Sequence, residues 1–268
     1  MIAQRALRPS PAVGAVVRGY RERMGVSDGP GVIVPLPGRP AQFLEIYLET
    51  PYRVSVDGGD FEAAPEAVVV GPSTRHSTRL WVSGPVATFH IGFQPGGFHR
   101  LFGLPMATLI DAGAPAEGLG LKPLDDLVDR VRRGGDFQAR ARLADDWIAH
   151  RLAWSRPEDA VDRIGRLIRR AGGAPSVALL AERAGLSARQ FQRRFAEQVG
   201  LAPKLYARTV RFEAVMTARE GTPDTTWTEL AHRFGYFDQA HLLRDAHAFT
   251  GVSPGRLVEE TPAMSDSS

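Results

Sequence analysis

The chain has 268 residues, 43% hydrophobic and 24% charged, a globular composition long enough for two domains. It has no cysteine, which excludes disulfides, thiolate metal sites and cysteine nucleophiles; with no apolar leader and no window of roughly 18 apolar residues, a cytoplasmic location without a membrane partner is expected. The net charge of +3 is unevenly placed: residues 156–258 hold 16 Lys/Arg against 11 Asp/Glu, and residues 187–211 hold six basic residues against the single acid Glu197, so any polyanion belongs to the C-terminal part.

From 13 to 93 the signals are those of strands. The segments 13–20, 32–34, 43–48, 52–56, 67–70, 78–82 and 86–93 are short and rich in Val, Ile, Tyr and Phe, with breakers such as Asp57-Gly58-Gly59-Asp60 and Ser83-Gly84-Pro85 between them. That spacing predicts an antiparallel barrel or sandwich. Alternation of Phe43, Glu45 and Tyr47 with Leu44, Ile46 and Leu48 predicts a strand with one half-solvated face. After Phe93 the period becomes helical: 98–102 is a short helix, and 123–132 and 137–152 are amphipathic helices, with a domain boundary at Ser155-Arg156-Pro157. Beyond it, helices are expected at 159–170, 177–184, 188–199, 203–219, 227–234 and 239–250. Ser187, Thr226 and Asp238 suit N-caps, Pro203 a first helical turn, and Gly200 and Gly251 the positions just past a helix.

The segment 181–195 has the form of a helix-turn-helix. Gly185 breaks a short apolar helix, and in the next one Phe191, Phe195 and Val199 share a face while Arg189 and Arg193 fall on the opposite one, with Gln192 on its flank. Arginine bonds guanine O6 and N7 bidentately, and glutamine does the same to adenine N6 and N7, so such a face suits a major groove. The pattern recurs. Leu180-Ala181, Gly185 and Ser187 match Leu230-Ala231, Gly235 and Phe237 at an offset of 50, and Gly200-Leu201-Ala202-Pro203 matches Gly251-Val252-Ser253-Pro254 at 51, with one residue inserted at the second turn. The helix between the units, about 17 residues or roughly 25 Å long, lets two recognition helices seated outside its ends lie about 34 Å apart, one turn of DNA.

Residues 157–258 resemble the AraC-type (AraC/XylS) family of bacterial transcription regulators. The match is carried by Glu229-Leu230-Ala231-His232-Arg233-Phe234-Gly235-Tyr236-Phe237-Asp238-Gln239-Ala240-His241-Leu242, then Arg244 and Gly251-Val252-Ser253-Pro254. It departs at Ala246, where the family usually has Phe; Phe249 stands one turn later to refill the gap. The resemblance implies base-facing residues at Arg189, Gln192 and Arg193 and, in the second unit, at Gln239, His241 and Arg244; Lys204 and Arg208 are the phosphate-contact candidates. The N-terminal half more loosely resembles a β domain found ahead of this unit in one subgroup, through Gly71-Pro72-Ser73-Thr74-Arg75-His76 and Ile91-Gly92-Phe93-Gln94-Pro95-Gly96-Gly97-Phe98. Members commonly use that domain to bind an effector, to dimerise, or both.

The expected fold class is therefore α+β. A cupin-like β barrel or sandwich occupies residues 1–120, a helical linker 121–156, an all-α domain of two helix-turn-helix units joined by a long helix 157–258, and a disordered tail 259–268. The expected function is sequence-specific regulation of transcription, with double-stranded DNA as partner and with RNA polymerase, a small-molecule effector and a second copy of the chain as further partners the family allows. The rival is an enzyme with a catalytic β half and an auxiliary DNA-binding half. Against it, no G-x-S-x-G elbow or phosphate loop is present, and His76, His90 and His99 lack metal-ligand spacing, so no catalytic residue, cofactor or metal is expected. Gly96-Gly97 before Phe98 reads as a turn with an anion seat as the alternative, Arg75 and Arg79 as surface residues with effector contact as theirs, and Asp125-Asp126 and Asp145-Asp146 as solvated helix faces.

Overall fold

The computed structural model describes residues 2–173 and 177–256; the tail from 259 lies outside them. The strands are β1 (Ile2–Leu7), β2 (Val17–Leu36), β3 (Gln42–Tyr47), β4 (Arg53–Val56), β5 (Glu62–Ala63), β6 (Ala67–Val70), β7 (Thr78–Phe93) and β8 (Gly113–Pro115). They form one eight-stranded antiparallel sheet in the order β1-β2-β7-β3-β6-β8, with β4 joining β7 and β5 joining β4. The helices are α1 (Gly97–Phe102), α2 (Lys122–Arg133), α3 (Phe137–Leu152), α4 (Ala160–Arg170), α5 (Val177–Arg183), α6 (Ala188–Val199), α7 (Pro203–Gly221), α8 (Trp227–Arg233) and α9 (Gln239–Thr250). No helix among the described residues is long and apolar enough to cross a membrane.

Several strands are longer than expected. The segments 78–82 and 86–93 are one strand, because Ser83-Gly84-Pro85 bends without leaving the ladder: Gly84, at φ 69°, faces Ser27, and Pro85 faces Val26. The 32–34 segment likewise continues β2, across a register shift between Ser27 and Val32. Residues 13–16 are a buried turn rather than strand, and β1, unmarked in the sequence, pairs along Ile2 to Leu7 with β2.

Nor is β3 half solvated. Leu44 and Ile46 enter a core shared with Phe89 and Ile91 of β7, Leu124, Leu127 and Val131 of α2, and Ala144 and Ile148 of α3. Phe43, Glu45 and Tyr47, on the opposite face, line a cavity. The helices α2 and α3 thus lie on the sheet as part of its core. Asp145 is not on a solvated face either: it accepts from the Tyr20 hydroxyl at 2.8 Å and the Ser10 N–H at 3.1 Å, while Arg140 bonds the buried Glu22 at 2.8 Å. Burial, with the Asp145 carboxylate beside it, pushes the Tyr20 hydroxyl far above the usual phenol range.

The helices after Pro157 build two small cores. One joins Ile164 and Ile168 of α4, Phe191, Phe195 and Val199 of α6, and Tyr206 and Val210 of α7. The other joins Phe212 and Val215 of α7 with Leu230, Tyr236, Leu242, Ala246 and Phe249. One long helix therefore serves both units, its first half in one core and its second half in the other.

Candidate nucleic-acid interface

Local chemistry sets each unit. In the first, Gly185 takes φ 65° after α5, and Ser187 caps α6 in a reciprocal box with Gln190. Phe191 and Phe195 are wholly buried, 5.5 Å apart, and Phe195 lies 5.5 Å from Tyr206. With that face spent on the core, Arg189, Gln192 and Arg193 are exposed on the other, joined by Arg194, which the sequence reading passed over.

The second unit repeats the plan. Thr226 and Glu229 form the capping box of α8, Gly235 takes φ 71°, and Asp238 caps α9 by accepting from the His241 N–H at 2.7 Å. The N-caps Ser187 and Asp238 stand 51 apart, whereas the preceding glycines stand 50 apart, so the inserted residue lies inside the helix-turn-helix turn rather than after the recognition helix. Phe237 is therefore not the counterpart of the Ser187 cap. Its ring is 86% exposed while Leu242 below it is wholly buried, so the packing often made between the residue before a cap and the fourth helical position is not made. The signal available in the sequence was a large apolar residue beside a capping position.

On α9, Gln239 and Arg244 are exposed and His241 is half buried, its ring edge-on to Tyr236 at 5.1 Å. The Thr228 hydroxyl donates to Gln239 Oε1 at 2.8 Å, which orients the carboxamide. Beside them Ala240 is exposed and Leu243 half buried. Ala246 is fully buried, and Phe249 fills the core against Phe212 at 5.6 Å. Lys204 is exposed on the first turn of α7. Arg208 is engaged: its guanidinium bonds the buried Asp245 of α9 at 2.5 and 3.2 Å and lies 5.6 Å over the Phe249 ring. Among the described residues, Arg189, Arg193, Arg194, Lys204 and Arg244 are in no ion pair, which leaves their charge to the surface.

The helix α6 is also held from behind. Gln198, buried on α6, accepts from Arg156 at 3.1 Å and donates to Asp159 at 2.8 Å, and Arg156 clamps the buried Asp162 through two bonds of 2.7 Å. Burial raises the Asp159 carboxyl, but the hydrogen bond from Gln198, backbone N–H groups and Arg156 outweigh it and hold it below the usual carboxylate range. The Asp162 carboxylate also lies close against Gly96, where a Cβ would stand 2.6 Å from its Oδ1.

A cavity of about 1110 Å³ lies between the sheet and α7. Its walls combine Val34, Phe43 and Leu80 with Phe212 and Met216, and Arg18, Arg21, Arg23, Arg39 and Arg169 contribute to its lining, with Glu45, Glu62, Asp111, Glu213 and Glu220 on the acidic side. His90, stacked on Phe43 at 4.5 Å, is held well below the ordinary imidazole pKa by burial and by Arg23, Arg21, Arg18 and Arg39. Arg75 pairs with Asp57 at 2.8 Å, and Arg79 bonds the Ser55 hydroxyl at 3.2 Å.

A family model described as a helix-turn-helix domain matches residues 180–260, and one described as a domain of unknown function (DUF6597) matches residues 30–115. The HTH-type transcriptional regulator Rv1931c of Mycobacterium tuberculosis is 39% identical over 85 residues, 32% of this chain and 32% of that protein. The chain thus matches about a third of the length of that relative. A crystal structure of ToxT from Vibrio cholerae is 8% identical, covering 91% of this chain and 99% of that one with a TM-score of 0.51. The structure of ToxT bound to (E)-4-(8-methylnaphthalen-1-yl)but-3-enoic acid gives the same values. At that identity the likeness is one of fold, an N-terminal sheet followed by helices in one chain.

Proposed function

We propose, from the premise that the C-terminal helices form an AraC-type helix-turn-helix domain, that this chain is a sequence-specific DNA-binding regulator of transcription acting in the cytoplasm. The observation that carries the reading is the pair of repeat-related helices, α6 and α9, each anchored by a buried apolar face; α6 offers Arg189, Arg193 and Arg194 and α9 offers Arg244, none of them in an ion pair among the described residues. On α6, Arg189, Gln192 and Arg193 read base edges; on α9, Gln239, His241 and Arg244 do so, with Gln239 pre-oriented by Thr228. Lys204 meets a phosphate, and Arg208 serves the interface indirectly by holding Asp245 and with it α9.

In this reading residues 157–258 are the DNA-binding unit, and the sheet with α2 and α3 is the sensing unit. The cavity between sheet and α7 takes a small molecule with an apolar body and a charged group, the chemistry its aliphatic and aromatic walls and its arginines and carboxylates favour. ToxT, of the same fold, has been crystallised with a carboxylic acid bound, which accords with that assignment. RNA polymerase and a second copy of the chain are the protein partners of the proposal.

The test is selection of bound duplexes from a random pool, followed by titration of the selected site and random DNA at several salt concentrations. Expected are two half-sites about one helical turn apart and a steep fall of affinity with salt. A chain that selects no sequence and shows no salt slope would overturn the reading.

A further inference from the structure

The last carbonyls of an α-helix have no N–H within the helix to bond. In both recognition helices the sheet domain supplies one. The Gln42 side chain, 3% exposed, reaches from β3 and donates Nε2–H to the Val199 carbonyl at the end of α6, 2.7 Å away. The Gly38 N–H, in the connection from β2 to β3, donates to the Phe249 carbonyl in the last turn of α9 at 2.6 Å. The two donors are four residues apart, and Gln42 belongs to a strand paired on both sides, by β7 and β6. One short stretch of the sheet domain therefore touches the rear of both recognition helices.

Contact is close as well as polar. A Cβ on Gly38 would stand 3.1 Å from the Phe249 oxygen and equally close to Arg75 N and the Thr74 carbonyl carbon. At Gly200, just past α6, a Cβ would meet Pro72 at 2.6 Å and the Met106 carbonyl at 3.0 Å. Each helix end thus lies close against the sheet domain and is hydrogen-bonded to it.

We propose that Gln42 and Gly38 are positioning residues that fix the separation of α6 and α9, so that a stretch outside the helix-turn-helix units sets the half-site spacing the chain accepts. The proposal rests on the DNA-binding reading. The long helix α7 joins the units, but each unit packs its own core on a different half of it. The 38–42 stretch is a second, independent tie between them.

The test uses the full chain carrying Gln42→Met, which keeps the side-chain length and removes the donor, and Gly38→Ala, which presses on the Phe249 carbonyl. Duplexes carrying the two selected half-sites with one or two base pairs inserted or removed between them are titrated. The parent is expected to lose affinity by about tenfold for a one-base-pair change, and Gln42→Met only about two- to threefold, with binding to random duplex unchanged. Because the chain has no cysteine, spin labels at Ala188→Cys and Ala240→Cys report the distance between the helices without DNA. A narrow distribution is expected in the parent, a broad one in Gln42→Met and a displaced one in Gly38→Ala. Spacing profiles and distance distributions identical to the parent in both variants would overturn the proposal. If the parent binds no DNA, the DNA reading fails, and the label distances still decide whether these residues position the helices. Should Gln42→Met not fold, Gly38→Ala decides by the same two readouts.

Discussion

Truncation of Phe195 to alanine tests the assembly of the first recognition helix. The ring is wholly buried between α6 and α7, with Phe191 and Tyr206 each 5.5 Å away. Removing it forfeits roughly 2 kcal/mol of apolar transfer and two aromatic contacts of about 0.5–1 kcal/mol each. The residual cavity adds about 1 kcal/mol, for a total near 4 kcal/mol, inside the usual range of about 3–5 kcal/mol for such truncations. Against an ordinary domain stability of about 5–15 kcal/mol this leaves about 1 kcal/mol at the low end of the range. For a helical unit of this size it corresponds to a fall in melting temperature of roughly 15–30 °C. The assay is thermal unfolding followed by far-ultraviolet circular dichroism, with urea unfolding at 25 °C as the second measurement. A variant that melts within a degree or two of the parent would mean that the ring is not in the core and that the face assigned to DNA is misplaced.

Arg193→Ala is expected to cost about 1–3 kcal/mol on the selected duplex and to relax preference at one base pair, because Arg189 and Gln192 beside it are equally exposed. Arg244→Ala, flanked by Ala240 and Leu243, is expected to weaken selected and random duplexes more evenly; base discrimination lost through Arg244 and untouched through Arg193 reverses the assignment. Phe237→Ala should stay within about 0.5 kcal/mol of the parent in stability, as a surface change does, yet weaken the selected duplex; a stability loss of several kcal/mol would place the ring in a core. His90 stays neutral in the folded chain at pH values where the unfolded chain takes up its proton, since burial and the arginines around it lower its pKa well below 6.5. Stability is then complete above about pH 6.5 and declines below it, by at most about 1.4 kcal/mol per pH unit for this group. The urea midpoint should therefore fall from pH 7 to pH 5, less so in His90→Gln, and a midpoint that rises on acidification contradicts the burial argument.

The helices were legible in the sequence because their determinants are local. Bonds four residues apart, caps at Ser187, Thr226 and Asp238, and stops at Gly200 and Gly251 all lie within a turn of what they control, so 137–152, 188–199 and 239–250 match the observed helices. The outward set Arg189, Gln192 and Arg193 follows from the same 3.6-residue period once Phe191 and Phe195 are placed inside. Strand pairing is decided by partners far along the chain, which is why β1 went unseen and why the bend at Gly84 read as a break in what is one strand. The occupation of Arg208 by Asp245, the hydrogen bond from Tyr20 to Asp145 and both faces of β3 being covered depend on groups 37 to more than 100 residues away. So do the cavity and the bonds from Gly38 and Gln42 to the recognition helices. Periodicity and capping specify which side chains leave the surface of an element; which distant element then meets them is settled only when the cores close, because that choice is made by long-range packing and hydrogen-bond satisfaction rather than by neighbours in sequence.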